Sequence, residues 1–461
     1  MKREDHEATR GYNTEKMYRI SVFAVSTLIG GVLVAILLSV SNPTRDSVTP
    51  AERADAFVES IGINVHLGYT NTSYSNYPLI KDKLVKLDIR HARDGTYSRE
   101  TPDRREAVYD KYRDLAASGI KFDLVHDSPI DRYDADGRTL SEIAKLAGDS
   151  LEAVEGPNEP DIQEDRSVDW ASMTRASQAS LYKAVRSNPN MDNISVIGTS
   201  IAHGDNVRYV MDPNGDGEKE DLGAYLDYGN IHSYSWALHP FAAETRLVSW
   251  HIPQARLLAG GKRLIATETG YTNATNDQSV GGPVTEGVAA KYTTRNLLEH
   301  FKRGFVRTYV YEFIDEFPDP GKVDRESNWG LLRYDGSEKP AYAALKNLID
   351  LLEDPGPPFE PQGLDFSLSG DTSNVHRLLL QKRDGQFYLI LWLEVSSYDR
   401  DRDEEIHVPS QRVTLHLDTP ISEATVYQPT FSTDPVTMYS ALDKIHLGVP
   451  DHPVVVELQP L

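Results

Sequence analysis

Apolar and polar positions between residues 56 and 353 follow two alternating patterns. Short runs rich in β-branched residues, which are typical of buried strands, are followed by longer stretches with apolar positions at helical spacing. The strands predicted from these runs are residues 61–67, 86–93, 121–127, 151–156, 194–200, 228–234, 263–269 and 307–314. Two of the intervening helices, at residues 105–119 and 288–304, end in glycine, a residue that commonly stops a helix.

Eight strand–helix units in about 300 residues predict an α/β fold of the (β/α)8 TIM-barrel type over residues 55–354. The stretch 339–354 is predicted to be the last barrel helix. A doubly wound sheet is the alternative, but it would need fewer units and often a glycine-rich phosphate turn. The sequence has no G-x-G-x-x-G that opens a helix and no G-x-x-x-x-G-K. The pattern therefore favours the barrel.

The pattern changes after a proline-rich boundary at residues 355–363. Beyond it, short alternating strands are separated by turn residues, and no helical period remains. Residues 364–461 are therefore predicted to form a small antiparallel β-sandwich. Its strands carry few aromatic residues, whereas sugar-binding sandwiches usually expose several, so we interpret it as an accessory domain that supports the barrel.

The chain begins with a second kind of apolar run. Residues 20–40 contain no charged side chain and are long enough to span a bilayer as one helix. Most nearby basic residues precede this run, which predicts a cytoplasmic tail at 1–19, a transmembrane anchor at 20–40 and a linker at 41–54. The protein is then expected in the cell membrane as a single-pass protein with its folded domains outside. A cleaved signal peptide is the alternative, but its apolar stretch would usually be shorter.

The composition of the chain argues against several classes of function. The net charge of −22 argues against a nucleic-acid partner, which would require a basic face. The absence of cysteine excludes disulfides, thiolate nucleophiles and cysteine metal sites. No H-E-x-x-H or H-x-H spacing is present, so neither a metal nor a cofactor is predicted.

Two glutamates fall at the carboxyl ends of predicted strands, where TIM barrels carry their active sites. Glu159 lies in the sequence GPNEP after the fourth strand, and Glu268 lies in TETGY at the end of the seventh. Acids on strands three apart can face each other across the barrel mouth. A pair of carboxylates that flanks a glycosidic bond is what glycoside hydrolysis requires.

Together with the strand count and the sequence NWGLLRYDGSEKPAYAAL after the eighth strand, these motifs resemble the clan A retaining glycoside hydrolases. That clan includes cellulase-like and β-xylosidase-like enzymes. The resemblance covers the barrel and implies that Glu159 is the acid/base and Glu268 the nucleophile. It also implies that Asn158 hydrogen-bonds the sugar 2-hydroxyl.

The resemblance further implies supporting residues around the two acids. Arg93, at the end of the second strand, matches the arginine that keeps the nucleophile ionised, although Arg90 is an alternative for this role. His232 and Tyr234, in the sequence IHSYSW, match positions that orient the nucleophile and the acid.

Several aromatic and polar residues are candidates for sugar contacts. The clan often has a tryptophan platform at the end of strand eight, and here Tyr311, Phe313 or the later Trp329 must take its place. Trp236 is predicted on a rim loop, where it could stack on a sugar. Three further positions at strand ends fit either a sugar contact or a buried core residue, and they are Asn64, His66 and His126.

These observations predict a membrane-anchored retaining glycosidase that hydrolyses O-glycosidic bonds of a cell-surface or extracellular polysaccharide or glycoconjugate. The alternative is a catalytically silent carbohydrate-binding surface protein. Such a protein would be expected to have lost one of the two carboxylates, and both are present. The sugar, its linkage and the oligomeric state are not predicted.

Overall fold

The structure, a computed structural model, describes residues 48–126, 138–163, 169–279 and 281–461. The predicted tail and anchor, residues 1–40, lie outside the described residues. Among those described, no helix has the length and apolar composition needed to cross a membrane.

Eight parallel strands form the centre of the molecule. They are labelled β1 to β8 in chain order and comprise Ile61–Asn64, His91–Gly95, Lys121–Val125, Leu151–Glu155, Ser195–Ile197, Gly229–His232, Leu264–Thr269 and Thr308–Val310. Neighbours in sequence are neighbours in the sheet, and β8 pairs with β1. A parallel bridge between Ile197 and Tyr228 closes the ring between β5 and β6. The eight predicted strands and the TIM barrel are thus confirmed.

Helices surround the barrel between these strands. The α-helices are Ala54–Glu59, Tyr77–Leu87, Pro102–Ala116, Arg138–Ala147, Pro160–Gln163, Trp170–Ser187, Val207–Met211, Ile252–Leu258, Glu286–Lys302 and Pro340–Leu352. Local chemistry explains several of their ends. Pro102 and Pro340 occupy first helical positions, where the missing N–H has no helical partner in any case. The Thr285 hydroxyl accepts from the Val288 N–H and so caps the helix that begins at Glu286.

The second predicted strand, residues 86–93, was placed too early. Lys86 and Leu87 form the last turn of the helix Tyr77–Leu87, and β2 begins only at His91. The helix ends at Asp88, which has a left-handed backbone with φ of 60°. The apolar residues at the end of the helix and before the strand are close together in sequence. They form one apolar run, and this run predicted a single strand.

The C-terminal region is a β-sandwich-like structure of mainly antiparallel strands. Its longer strands are Phe366–Gly370, Val375–Gln381, Phe387–Leu393, Gln411–Tyr427, Pro435–Val449 and Val454–Pro460. The strand Gln411–Tyr427 pairs with Phe366–Gly370 along its first half and with Val454–Pro460 along its second. This change of partner lets the sheet enclose its own apolar core, to which Leu389 and Leu415 contribute.

The described half of the predicted linker 41–54 forms two short strands that pair with the C-terminal region. Thr49–Pro50 pairs antiparallel with Gly363–Leu364, and Glu52–Arg53 pairs parallel with residues of Val375–Gln381. The entry to the barrel and the start of the sandwich are therefore joined by backbone hydrogen bonds. Strands of two residues carry no period, so the sequence pattern gave no sign of them.

Buried ion pairs join the sandwich to the barrel. Arg295, on the helix Glu286–Lys302, is fully buried and donates to the Glu394 carboxylate and to the carbonyl oxygens of Val395 and Asp451. Lys291 on the same helix lies 2.9 Å from the Asp451 carboxylate. The sandwich thus packs on one barrel helix through paired charges, which fits the predicted supporting role.

Candidate active site

The two predicted acids meet at the carboxyl end of the barrel. The Glu159 N–H donates to the Ser200 carbonyl at 3.1 Å, which ties the bend after β4 to the end of β5. Glu159 has a left-handed backbone with φ of 45°, and Pro160 begins a helix directly after it. The stiff GPNEP segment therefore holds one carboxylate at the rim. One oxygen of Glu159 and one of Glu268 lie within 4.8 Å of each other.

Glu268 is surrounded by donors. Arg93 Nη1 donates to its Oε1 at 2.7 Å, and the Tyr234 hydroxyl donates to its Oε2 at 2.8 Å. Burial favours the neutral acid, but the charges of His232 and Arg93 and the Tyr234 hydrogen bond outweigh burial and lower the pKa of Glu268. This carboxyl is therefore held ionised, as a nucleophile requires.

Arg93 is held in place by side chains from three strands. Its Nε and Nη2 donate to the Glu155 carboxylate at 2.7 and 2.9 Å, and its Nη1 donates to Asn64 Oδ1 at 2.9 Å. Arg90, the alternative, pairs with Asp55 at 2.7 Å and with Glu59. The structure thus brings Arg93, and not Arg90, to the two acids.

Glu155 is a site residue that the sequence analysis missed. It is fully buried at the end of β4, where it accepts from Arg93 and, at 2.9 Å, from Asn230 Nδ2. The available signal was the acid in VEGPNEP, four residues before Glu159 on an apolar strand. A single acid in a strand does not by itself show whether it faces the barrel interior or solvent, so the sequence pattern did not identify Glu155.

His232 lies between the two acids. Its Nδ1 is 2.7 Å from Glu159 Oε1 and 3.4 Å from Glu268 Oε2. Burial favours the neutral ring, but Glu268 and Glu159 outweigh burial and raise the pKa of His232. The imidazole can therefore orient the Glu159 side chain beside Glu268.

Asn158 also lies beside this network. Its Oδ1 accepts from Arg93 Nη2 at 2.7 Å. With the oxygen so engaged, the amide nitrogen is the end that can reach a ligand. This placement agrees with the predicted contact to a sugar hydroxyl, and that contact stays a prediction.

Four aromatic side chains form one wall of the cleft. The Trp329 ring centroid lies 5.3 Å from that of Tyr234, 6.0 Å from that of Tyr311 and 6.4 Å from that of Trp236. Phe313 is fully buried in the main apolar core. Of the three candidates for the missing tryptophan platform, Tyr311 and Trp329 therefore line the cleft.

The three residues left open between sugar contact and core all line the cleft. Asn64 is buried and holds Arg93, and it donates to the Thr267 carbonyl at 3.1 Å. The ring of His66 stacks on Tyr69 at 4.7 Å, and burial lowers the pKa of His66 to about 4. His126 is buried at the end of β3. Contact of these residues with a sugar stays a prediction.

The cleft has a volume of about 1430 Å³ and extends beyond the barrel. Arg400, from the C-terminal β-sandwich-like region, is one of its lining residues. The sandwich therefore contributes to the cleft itself, which the interpretation as a support did not anticipate.

No protein-family model matches the sequence, and no curated protein matches it either. Solved structures do. A family 39 glycoside hydrolase from the gut symbiont Bacteroides cellulosilyticus WH2 matches with a TM-score of 0.61 and 15% identity, over 90% of this chain and 83% of that one. The family 39 enzyme from Xanthomonas axonopodis pv. citri matches with a TM-score of 0.55 and 13% identity, over 90% and 96% of the two chains.

A monomeric β-xylosidase from Caulobacter crescentus CB15 matches with a TM-score of 0.53 and 14% identity, over 91% of this chain and 98% of that one. The similarity thus includes the barrel and the C-terminal β-structure together. The resemblance to clan A drawn from the motifs is confirmed at the level of the fold, and the chain has the fold of the family 39 glycoside hydrolases.

Proposed function

We propose that the protein is a retaining glycoside hydrolase. The observation that carries this proposal is the pair Glu159 and Glu268, with one oxygen of each within 4.8 Å of the other at the carboxyl end of the barrel. Retaining enzymes place their carboxyl groups about 5–5.5 Å apart, whereas inverting enzymes need about 6.5–9.5 Å to admit a water molecule. The spacing here supports double displacement.

In the first step, an oxygen of Glu268 bonds to the anomeric carbon as the bond from that carbon to the glycosidic oxygen breaks. Glu159 gives its proton to the departing oxygen. In the second step, Glu159 takes a proton from water, the water oxygen bonds to the anomeric carbon, and the bond to Glu268 breaks. Arg93 and Tyr234 stabilise the Glu268 carboxylate before attack and after release.

The substrate in this proposal is a polysaccharide or glycoconjugate outside the cell. The cleft volume of about 1430 Å³ exceeds the space of one sugar and supports an extended substrate. The location rests on the apolar run at 20–40 and the basic residues before it. One of the similar structures is a β-xylosidase, but the sequence identity is too low for its substrate to be assigned to this chain.

A silent carbohydrate-binding protein is the alternative, and one experiment separates the two functions. The full-length protein is incubated with a panel of aryl glycosides and cell-wall polysaccharides, beside Glu268→Gln. We expect the wild type to hydrolyse at least one substrate and the variant to hydrolyse none. Binding of a polysaccharide by both proteins, with no hydrolysis by either, would establish the silent function instead.

A further inference from the structure

A second group of ionisable side chains lies at the edge of the cleft, apart from the catalytic acids. His66 follows β1, and Glu312 and Glu316 follow β8. His66 Nε2 is 3.4 Å from Glu312 Oε2 and 4.0 Å from Glu316 Oε1. One donor atom from each of the three residues lies within 4.8 Å of the other two.

The charges of this group are not compensated by protein cations. Within residues 48–126, 138–163, 169–279 and 281–461, neither glutamate forms an ion pair with a lysine or arginine, and His66 is the partner of both. Glu312 is fully buried, and in the same part of the chain its Oε1 has no hydrogen-bond partner, nor has His66 Nε2. A buried carboxylate in this state is costly unless it takes up a proton or a cation joins it.

A comparable cluster elsewhere shows how this protein otherwise neutralises such a group. Glu299, His376 and Glu394 also bring three donor atoms together, where the sandwich meets the barrel. There Arg303 lies 3.0 Å from Glu299, and Arg295 pairs with Glu394. The cluster at the cleft lacks these arginines, which leaves its three donors available to an added cation.

The separations fit a metal ion. Zinc binds histidine nitrogen and carboxylate oxygen at about 2.0–2.2 Å in tetrahedral sites, so neighbouring donors lie roughly 3.3–3.6 Å apart. The pair His66 and Glu312 already has this spacing, whereas Glu316 Oε1 lies 4.0 Å from His66 Nε2 and must move closer to bind the same ion. The Tyr74 hydroxyl donates to Glu312 Oε2 at 2.9 Å, as an outer partner of a metal-binding carboxylate does.

We propose that His66, Glu312 and Glu316 bind one Zn²⁺ ion at the edge of the cleft, with a fourth position open to a ligand. Of the three, His66 lines the cleft, so in this proposal a sugar hydroxyl or water reaches the fourth position from the cleft. This proposal departs from the sequence-based expectation of no metal. The ligands come from opposite ends of the barrel sequence, and no short motif joins them.

The test measures metal binding and does not depend on hydrolase activity. The full-length protein is treated with chelator, dialysed and titrated with Zn²⁺ by calorimetry, and bound metal is counted by mass spectrometry. We expect one Zn²⁺ per chain in the wild type. Loss of a ligand in Glu316→Gln or His66→Asn should weaken binding at least tenfold, with circular dichroism used to show that each variant is folded.

Two variants serve as matched controls. Glu326→Gln removes a neighbouring negative charge that offers no donor to the cluster, and Glu268→Gln removes a donor from the catalytic cluster Glu159, His232 and Glu268. Both should keep one tightly bound Zn²⁺. Absence of stoichiometric Zn²⁺ in the wild type would overturn the proposal and indicate a protonated Glu312. If Glu268→Gln lost Zn²⁺ and the other variants kept it, the metal would lie among the catalytic acids, and this result would also overturn the proposal.

Discussion

Glu159 and Glu268 carry the same functional group in two different surroundings. Glu268 accepts from Arg93 and Tyr234, so it is held as a carboxylate, while Glu159 contacts His232 at the rim. This difference supports the proposed roles of Glu268 as the nucleophile and Glu159 as the acid/base. It also leads to two predictions about single residues.

Substitution of each acid should have a different effect. Glu268→Ala removes the nucleophile and should abolish turnover of every substrate. Glu159→Ala removes the proton donor, which contributes about 10²–10⁴-fold to rate, but should spare the first step on activated aryl glycosides because their leaving groups need no proton. The second step should be slow, because the variant lacks the base that takes a proton from water. Azide should restore turnover of the Glu159→Ala variant, measured as release of the aryl alcohol. Substantial activity in Glu268→Ala would show that the assignment is wrong.

Removal of the Tyr234 hydroxyl should shift the pH profile. The pKa of Glu268 is lowered from 4.5, so the wild type should lose activity only as the pH falls through that lowered value. Tyr234→Phe removes a hydrogen bond that favours the carboxylate, so it should raise the pKa of Glu268. The acidic limb of kcat/KM should therefore move to higher pH. A lower rate with an unmoved acidic limb would mean that Tyr234 acts only in packing.

The sequence predicted the residues with a local signal. Glu159 and Glu268 stand in recognisable strand-end motifs, and the structure brings both to one place with Arg93. Glu155 was missed because its function depends on the side chains that a closed barrel directs inward, which no local pattern reports. The cluster of His66, Glu312 and Glu316 was missed for the same reason.

At the scale of elements, the pattern of apolar and polar residues predicted all eight barrel strands, because each strand is a short apolar run between helices. The errors fall where apolar residues of two elements are adjacent, as before β2, or where a strand is too short to show a period, as at Thr49–Pro50. The attachment of the sandwich to the barrel could not be predicted. Arg295 and Glu394 are far apart in sequence, and charged residues of this kind usually lie on the protein surface.

The attachment of the sandwich can be tested through Arg295. Arg295→Met leaves the largely buried Glu394 without its guanidinium, and loss of one partner of a buried pair is expected to destabilise a protein by about 3–5 kcal/mol. Denaturant unfolding measures this change. Arg104→Met, which breaks the exposed pair with Glu100, should change stability by less than about 1 kcal/mol. Equal effects of the two substitutions would contradict a stabilising role for the buried pair.

At the scale of the whole molecule, barrel and sandwich share one cleft, since Arg400 joins the residues that line it. The proposed anchor would hold this cleft near the outer face of a membrane, on a linker that strand pairing shortens at Thr49–Arg53. The enzyme would then act on polymers close to the membrane.

Protease treatment of intact cells or spheroplasts tests the proposed topology. The folded domains should be digested, and a small N-terminal fragment that contains residues 20–40 should be protected. A secreted protein that begins near Ser41 would show that the segment is a cleaved signal peptide. Protection of the barrel in intact cells would contradict the topology.

The stereochemistry of hydrolysis tests the central claim most directly. Proton NMR follows the anomeric signals of the first product formed from a substrate found in the glycoside panel, before mutarotation mixes the anomers. The spacing of Glu159 and Glu268 predicts that the first product keeps the anomeric configuration of the substrate. A first product of inverted configuration would contradict double displacement through Glu268.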